Sequence, residues 1–190
     1  MAGDATNAAL WSNADVYVHD LSGTAPTWPI NVADPWAAGW TPVGLLNGEE
    51  GFTEARDQEV SEHFAWGGLL VKKTKSKHQR TIRFVMLENN ATVFGLVNPG
   101  STRATADTNG VVKSVIKVPT SKEWAFGFEV REGNKVKRRT VKRGEVEEVA
   151  DITESESELT VYDVTVTLYP ESDGTLYEEL EGDPADDTGV

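Results

Sequence analysis

Few residues in this chain have the types and spacing that chemistry needs. The three histidines, His19, His63 and His78, lie far apart, and no G-x-S-x-G, H-E-x-x-H, P-loop or G-x-G-x-x-G stretch occurs. His63 follows Glu59 and Glu62, which are metal-ligand types, but E-x-x-x-H is short and common and has no second pair nearby. A solvated loop histidine is the better reading. ESDGT at 171–175 lacks the alternating ligands and closing acid of a calcium loop, so Asp173 and Gly174 read as a turn. The absence of cysteine removes disulfides, Cys-zinc sites and thiol nucleophiles. No nucleophile, acid and base are grouped together, so neither catalysis nor a cofactor is expected.

Charge is the more informative chemistry. Lys135 to Arg143, KVKRRTVKR, packs six cations into nine residues, and from Gly144 to Val190 there is no Lys or Arg. The formal net charge is -13, which argues against broad binding to nucleic acid or anionic membrane. The two basic blocks, VKKTKSKHQRTIR and KVKRRTVKR, contain no Phe, Tyr or Trp on which a base would stack. No apolar run approaches the ~18 residues of a membrane span, and the N-terminus lacks an apolar h-region. A soluble protein without an export signal is expected.

In the second block, strand alternation puts Lys135, Lys137, Arg139 and Arg143 on one face and Arg138 and Lys142 on the other. Neither face is dry, which predicts an edge strand or protruding hairpin. Three readings stay open. The block is a solvated edge that opposes aggregation, a hairpin about Gly144 setting the cations beside Glu145, Glu147 and Glu148, or a contact with acids of another copy.

These residues must be positioned by strands. KEWAFGFEV alternates Trp124, Phe126, Phe128 and Val130 against smaller or charged residues, and burying the three aromatics contributes roughly 1.5 to 3 kcal/mol each. TVYDVTVTLYP sets Tyr162, Val164, Val166 and Leu168 on one face, and QRTIRFVMLE sets Ile82, Phe84 and Met86 likewise. ADVYVHD, TPVGLLNG, GGLLVKK and VVKSVIKV add apolar runs between Gly, Asn, Pro and Asp clusters. The pattern predicts a mainly antiparallel β domain over residues 41–180. NNATVFGLVNPG predicts one short helix over about 90–97, with Asn89 or Asn90 as N-cap and a stop at Asn98, Pro99 and Gly100.

Residues 1–40 read as an extended arm or long loop, EARDQEVSEHFAWGG reads as a charged loop, and residues 181–190 read as a disordered acidic tail. Of the six tryptophans, Trp28, Trp36 and Trp40 stand among prolines, where they would stack on sugars or pack on a neighbouring subunit. Trp66 and Trp124 adjoin strand patterns and read as core.

The order of these features resembles the major tail tube proteins of long-tailed, non-contractile bacteriophages. The features that match are the GLLNGEEGFTE opening at Gly44 to Glu54, the charged loop, the W-x-G-x-x-V element and the strand ending in a Leu-Glu-x-Asn helix start. VYDVTVTLYPESDGTLYEEL is similar to the family's closing strand with its Asp-Gly turn. The first forty residues match no part of that pattern.

The resemblance implies an antiparallel β-sandwich or small barrel with one flanking helix. It further implies six copies per ring and rings stacked into a virion tail tube, a DNA conduit filled before ejection by the tape-measure protein. Assembly in the host cytoplasm, a tail terminator partner, and no cofactor or membrane contact follow from it. Lys135, Lys137, Arg138, Arg139, Lys142, Arg143, Glu145, Glu147 and Glu148 become candidates for subunit contacts. Glu49, Glu50, Glu54, Asp57, Glu59 and Glu62 become candidates for the lumen or the ring-to-ring seam. Reversing Lys137, Arg138 and Arg139 is expected to abolish tubes and leave the monomer folded. The alternatives are a tail terminator or neck ring protein of the same fold and, from a different class, a carbohydrate-binding or adhesion module that uses the tryptophans.

Overall fold

The computed structural model describes residues 8–184. Its strands are β1 (Asn13–Asp20), β2 (Thr41–Pro42), β3 (Thr53–Phe64), β4 (Leu70–Met86), β5 (Thr102–Arg103), β6 (Ser114–Val115), β7 (Glu123–Glu132), β8 (Lys135–Val149), β9 (Tyr162–Leu168) and β10 (Glu178–Gly182), with one helix, α1 (Ala91–Val97). The main sheet runs β2-β1-β7-β8-β9-β4-β3, with β10 added to β8, and β5 and β6 form a separate pair. Every pairing is antiparallel.

The sheet curls over its own core. β7 and β4 are three strand positions apart, about 14 Å in a flat sheet, yet the rings of Phe128 and Phe84 lie 5.6 Å apart. Val16 and Val18 of β1, Ile82 and Met86 of β4, Val164 and Val166 of β9, and Val93 and Leu96 of α1 complete the apolar interior with Trp124 and Phe126. Tyr162 packs half-buried at its margin. The segment that follows β1 also approaches both ends of the sheet. The Val43 N–H donates to Val16 and the Leu87 N–H donates to Leu45, but the ladder does not close into a barrel. The result is mainly β, antiparallel and sandwich-like, as expected. The helix also begins where the sequence places it, with the Asn90 side chain accepting from the Val93 N–H at 2.9 Å.

Four expectations are corrected. The first concerns residues 1–40, which are not simply an arm. Asn13–Asp20 pairs along its full length with β7, and the Trp-rich stretch after it lies back over the outer face of the sheet. Trp36 stacks on Tyr17 at 4.9 Å and meets Trp40 at 4.7 Å. β7 is therefore covered on both faces, with Ala125 at 0% and Glu129 at 3% exposure. Small residues make this possible, since a Cβ on Gly127 would stand 2.1 Å from the Trp36 ring.

Second, EARDQEVSEHFAWGG is mostly strand, forming β3 of a long hairpin with β4. Third, β8 is an interior strand, paired to β7 on one side and to β10 and then β9 on the other, and Gly144 lies within it. Apolar Val136 and Val141 bury it where the charge pattern predicted no dry face. Fourth, Trp66 is fully exposed, because it sits in the hairpin turn. Glu181 and Gly182 of the expected tail belong to β10, and residues 185–190 lie outside the described residues.

Candidate functional site

The basic block is met by acids of its own chain. β10 pairs with β8 so that Glu179 faces Arg139 and Glu181 faces Lys137, and the side chains follow that register. Lys135 and Lys137 reach Glu181 at 2.7 and 2.9 Å, Arg139 reaches Glu179 at 2.7 Å, and Lys142 reaches Glu178 at 2.8 Å. Arg143 reaches Glu123 of β7 at 2.9 Å. The ammonium groups of Lys135 and Lys137 hold the Glu181 carboxyl below its usual range, and Glu178 in turn raises Lys142.

Arg138 is different because it is buried. Its guanidinium meets Glu129 at 2.8 Å, with both side chains 4% exposed. It also donates to the carbonyls of Asn31 and Asp34, each at 3.0 Å, and lies 4.9 Å from the Trp36 ring centroid. Glu129 further accepts from Trp36 Nε1 at 2.9 Å and from Arg131. This network pins the Trp-rich segment to the sheet. The sequence gives no sign of the pairing of Glu129 with Arg138, since Glu129 is one of the charged residues that alternate with the apolar face of KEWAFGFEV.

Glu145, Glu147 and Glu148 do not pair with the block. Glu145 accepts from the Tyr169 hydroxyl at 2.8 Å, which pushes that phenol up to about 12. Glu147 accepts from Gln79 and Thr167, and Glu148 is exposed.

The largest unpartnered feature is the β3–β4 hairpin. β9 pairs with β4 only from Thr81 to Met86, so the stretch from Leu70 to Arg80 pairs with β3 alone. At about 3.3 Å per residue this ribbon extends roughly 30 Å from the curled sheet. Its outer end carries Phe64, Trp66, Leu69 and Val71, exposed by 58%, 104%, 71% and 66%. A bulge between Asp57 and Glu59 sits opposite Lys77, whose φ of 54° is left-handed, so the ribbon is twisted at mid-length.

Charges along the ribbon are largely matched across it. Glu59 pairs with Lys77 at 2.5 Å and Glu62 with Lys73 at 2.6 Å. At its base Glu50 meets Arg83 at 2.9 Å. Glu54 turns inward to Arg80 at 3.2 Å and Arg139 at 3.8 Å. Among the described residues, Glu49 and Asp57 of the six acids stand outside any ion pair. His63 lies 3.3 Å from Thr74 on the facing strand, not in a loop.

The opening of the ribbon is shaped by a close approach. Gly44 has φ +93°, and a Cβ there would stand 2.4 Å from the Glu88 carboxyl carbon. That carboxylate accepts from the Leu45 N–H at 2.8 Å and also from Asn90, tying the ribbon's base to the helix start.

A family model described as "Phage tail tube protein" matches residues 1–189. The chain belongs to that family. The match includes the first forty residues, where the sequence pattern had none, and it makes this tail tube chain a structural component of a phage tail. No curated protein matches it. Among solved structures, a chain of the "Cryo-EM structure of the anti-feeding prophage (AFP) baseplate, 6-fold symmetrised" is similar at a TM-score of 0.41 and 8% identity, over 92% of this chain and 96% of that one. A similarity that low leaves the assignment resting on the family match. Within the tail tube chain, the charges of the curled sheet are mostly matched internally, and among the described residues the outer part of the ribbon pairs with no strand but its own two.

Proposed function

We propose that this chain is a self-assembling, non-catalytic subunit that forms rings of six, stacked into a tube through which phage DNA is ejected. The observation that carries the proposal is the β3–β4 ribbon, whose apolar end has no partner among the described residues. Exposed apolar clusters on an otherwise polar surface mark contact sites, and a ribbon of this reach suits the seam between stacked rings. The cross-strand pairing of Glu59 and Glu62 supports the seam over the lumen for those acids. Glu49 and Asp57 retain the free charge that would keep DNA phosphates from adhering to a channel wall. A tape-measure protein inside the tube, a terminator at its end and assembly in the host cytoplasm accompany this reading.

Negative-stain electron microscopy of the purified protein across a concentration series tests it, with mass measured by light scattering. Rings of sixfold symmetry and tubes are expected. A protein that stays monomeric at every concentration would overturn the proposal.

A further inference from the structure

The charges of this molecule divide sharply into those matched at home and those left over. All six cations of the β8 block are in ion pairs, whereas Lys113 and Lys117 are exposed and form none among the described residues. They stand in VVKSVIKV, where Val111, Ile116 and Val118 are 60%, 62% and 84% exposed. This is not a loose loop. Lys113 accepts from the Ala104 N–H at 2.9 Å, the Lys117 N–H donates to Ser101 Oγ at 3.0 Å, and the Thr120 N–H donates to Pro99 at 3.2 Å. β6, within the stretch, pairs only with the two-residue β5 and leaves its other edge open.

A second strip has the opposite character. Residues 151–159, DITESESEL, are exposed throughout. Asp151, Glu154, Glu156 and Glu158 form no ion pair among the described residues. Ile152 and Leu159, 43% and 77% exposed, frame them with apolar surface. Ser155 accepts from the Glu158 N–H at 3.0 Å, so this strip is also shaped.

We infer that the basic apolar strip 111–118 of one copy docks against the acidic apolar strip 151–159 of another, forming a head-to-tail contact. The inference rests on the structural tail-subunit reading and names a contact that the β3–β4 ribbon does not supply. Two different patches that fit each other make a heterologous interface, which propagates into rings or stacks instead of stopping at a dimer. The charges would fix orientation and register, with apolar residues between them closing the contact. Attraction between such exposed charges is screened by salt, so the contact is weakest at high ionic strength.

The test is obligate co-assembly. K113E/K117E makes both strips acidic, and E154K/E156K/E158K makes both basic. All five side chains are exposed, so each variant is expected to keep the wild-type circular dichroism spectrum and thermal midpoint. Each alone should lose tube formation, while an equimolar mixture regains it, because the altered strip of each variant then meets the oppositely charged altered strip of the other, and unaltered meets unaltered. If the wild type assembles and both variants assemble as well alone, the inference fails and these strips face a different tail protein. If the wild type never assembles, both this inference and the reading beneath it fail. As a check independent of charge, I116S/V118S should also weaken assembly of the folded protein; full assembly would count against the contact.

Discussion

Arg138 behaves unlike the other five cations of its block. Removing either Arg138 or Glu129 strands a buried charge, which typically costs about 3 to 5 kcal/mol. We expect R138A and E129A each to lower the urea midpoint by a large part of the total stability, and a midpoint within error of wild type would refute the role of the pair. The triple reversal of Lys137, Arg138 and Arg139 is for the same reason expected to unfold the chain, and so cannot spare the monomer as the charge pattern alone predicted. Gly127 is the second sensitive position. G127V drives a side chain into the space of the Trp36 ring, and overpacking of this kind costs about 1 to 3 kcal/mol. Its measurable sign is a red-shifted tryptophan emission as Trp36 leaves the sheet.

At the scale of elements, β10 is the strand most dependent on charge. Its carboxylates Glu179 and Glu181 are held below their usual values, and in Glu181 the hydrogen bonds from Lys135 and Lys137 are the cause. A carboxylate depressed in the folded state stabilises it above the unfolded value of 4.5 and loses that contribution as pH falls through the folded value. Amide exchange along residues 178–182 should therefore rise relative to the core below about pH 4.5, and uniform protection down to global acid unfolding would refute this. The ribbon makes a complementary prediction. W66S/L69S removes exposed apolar surface, so monomer stability should change by less than about 0.5 kcal/mol while tubes are lost; tubes of normal length would exclude its end from the contact.

How much of this was legible in the sequence depended on whether the burial was one-sided. The core faces at Trp124, Phe126, Phe128, Val164 and Val166 and the Asn90 cap could be read directly, because local periodicity or a single side chain determines them. β8 could not, since the acids that neutralise four of its six cations come from β10, about forty residues later, and periodicity carries no information on distant partners. β3 read as loop because a two-stranded ribbon in solvent has no apolar face to alternate. The outer face of β7 read as solvent because Ala125 and Gly127 are small, when their smallness is what admits the Trp rings.

For the whole molecule, net charge and usable charge differ. The concentrated basic block offers little to DNA because its cations are already paired within the chain. The purified protein should not retard double-stranded DNA in a gel at moderate salt, and a shift that disappears at higher salt would contradict that. The pairing of β1 with β7, from Asn13 against Arg131 to Asp20 against Trp124, sets a condition on biosynthesis. A nascent chain offers its first strand only the two-residue β2 until more than a hundred further residues have left the ribosome. The β3–β4 ribbon closes locally and early, but the body that holds it does not exist until β7, β8 and β9 arrive. Long-range pairing of this kind is slow. A partly made subunit can therefore display the exposed apolar end of its ribbon before it has a sheet to build with, which places the risk of premature aggregation during synthesis.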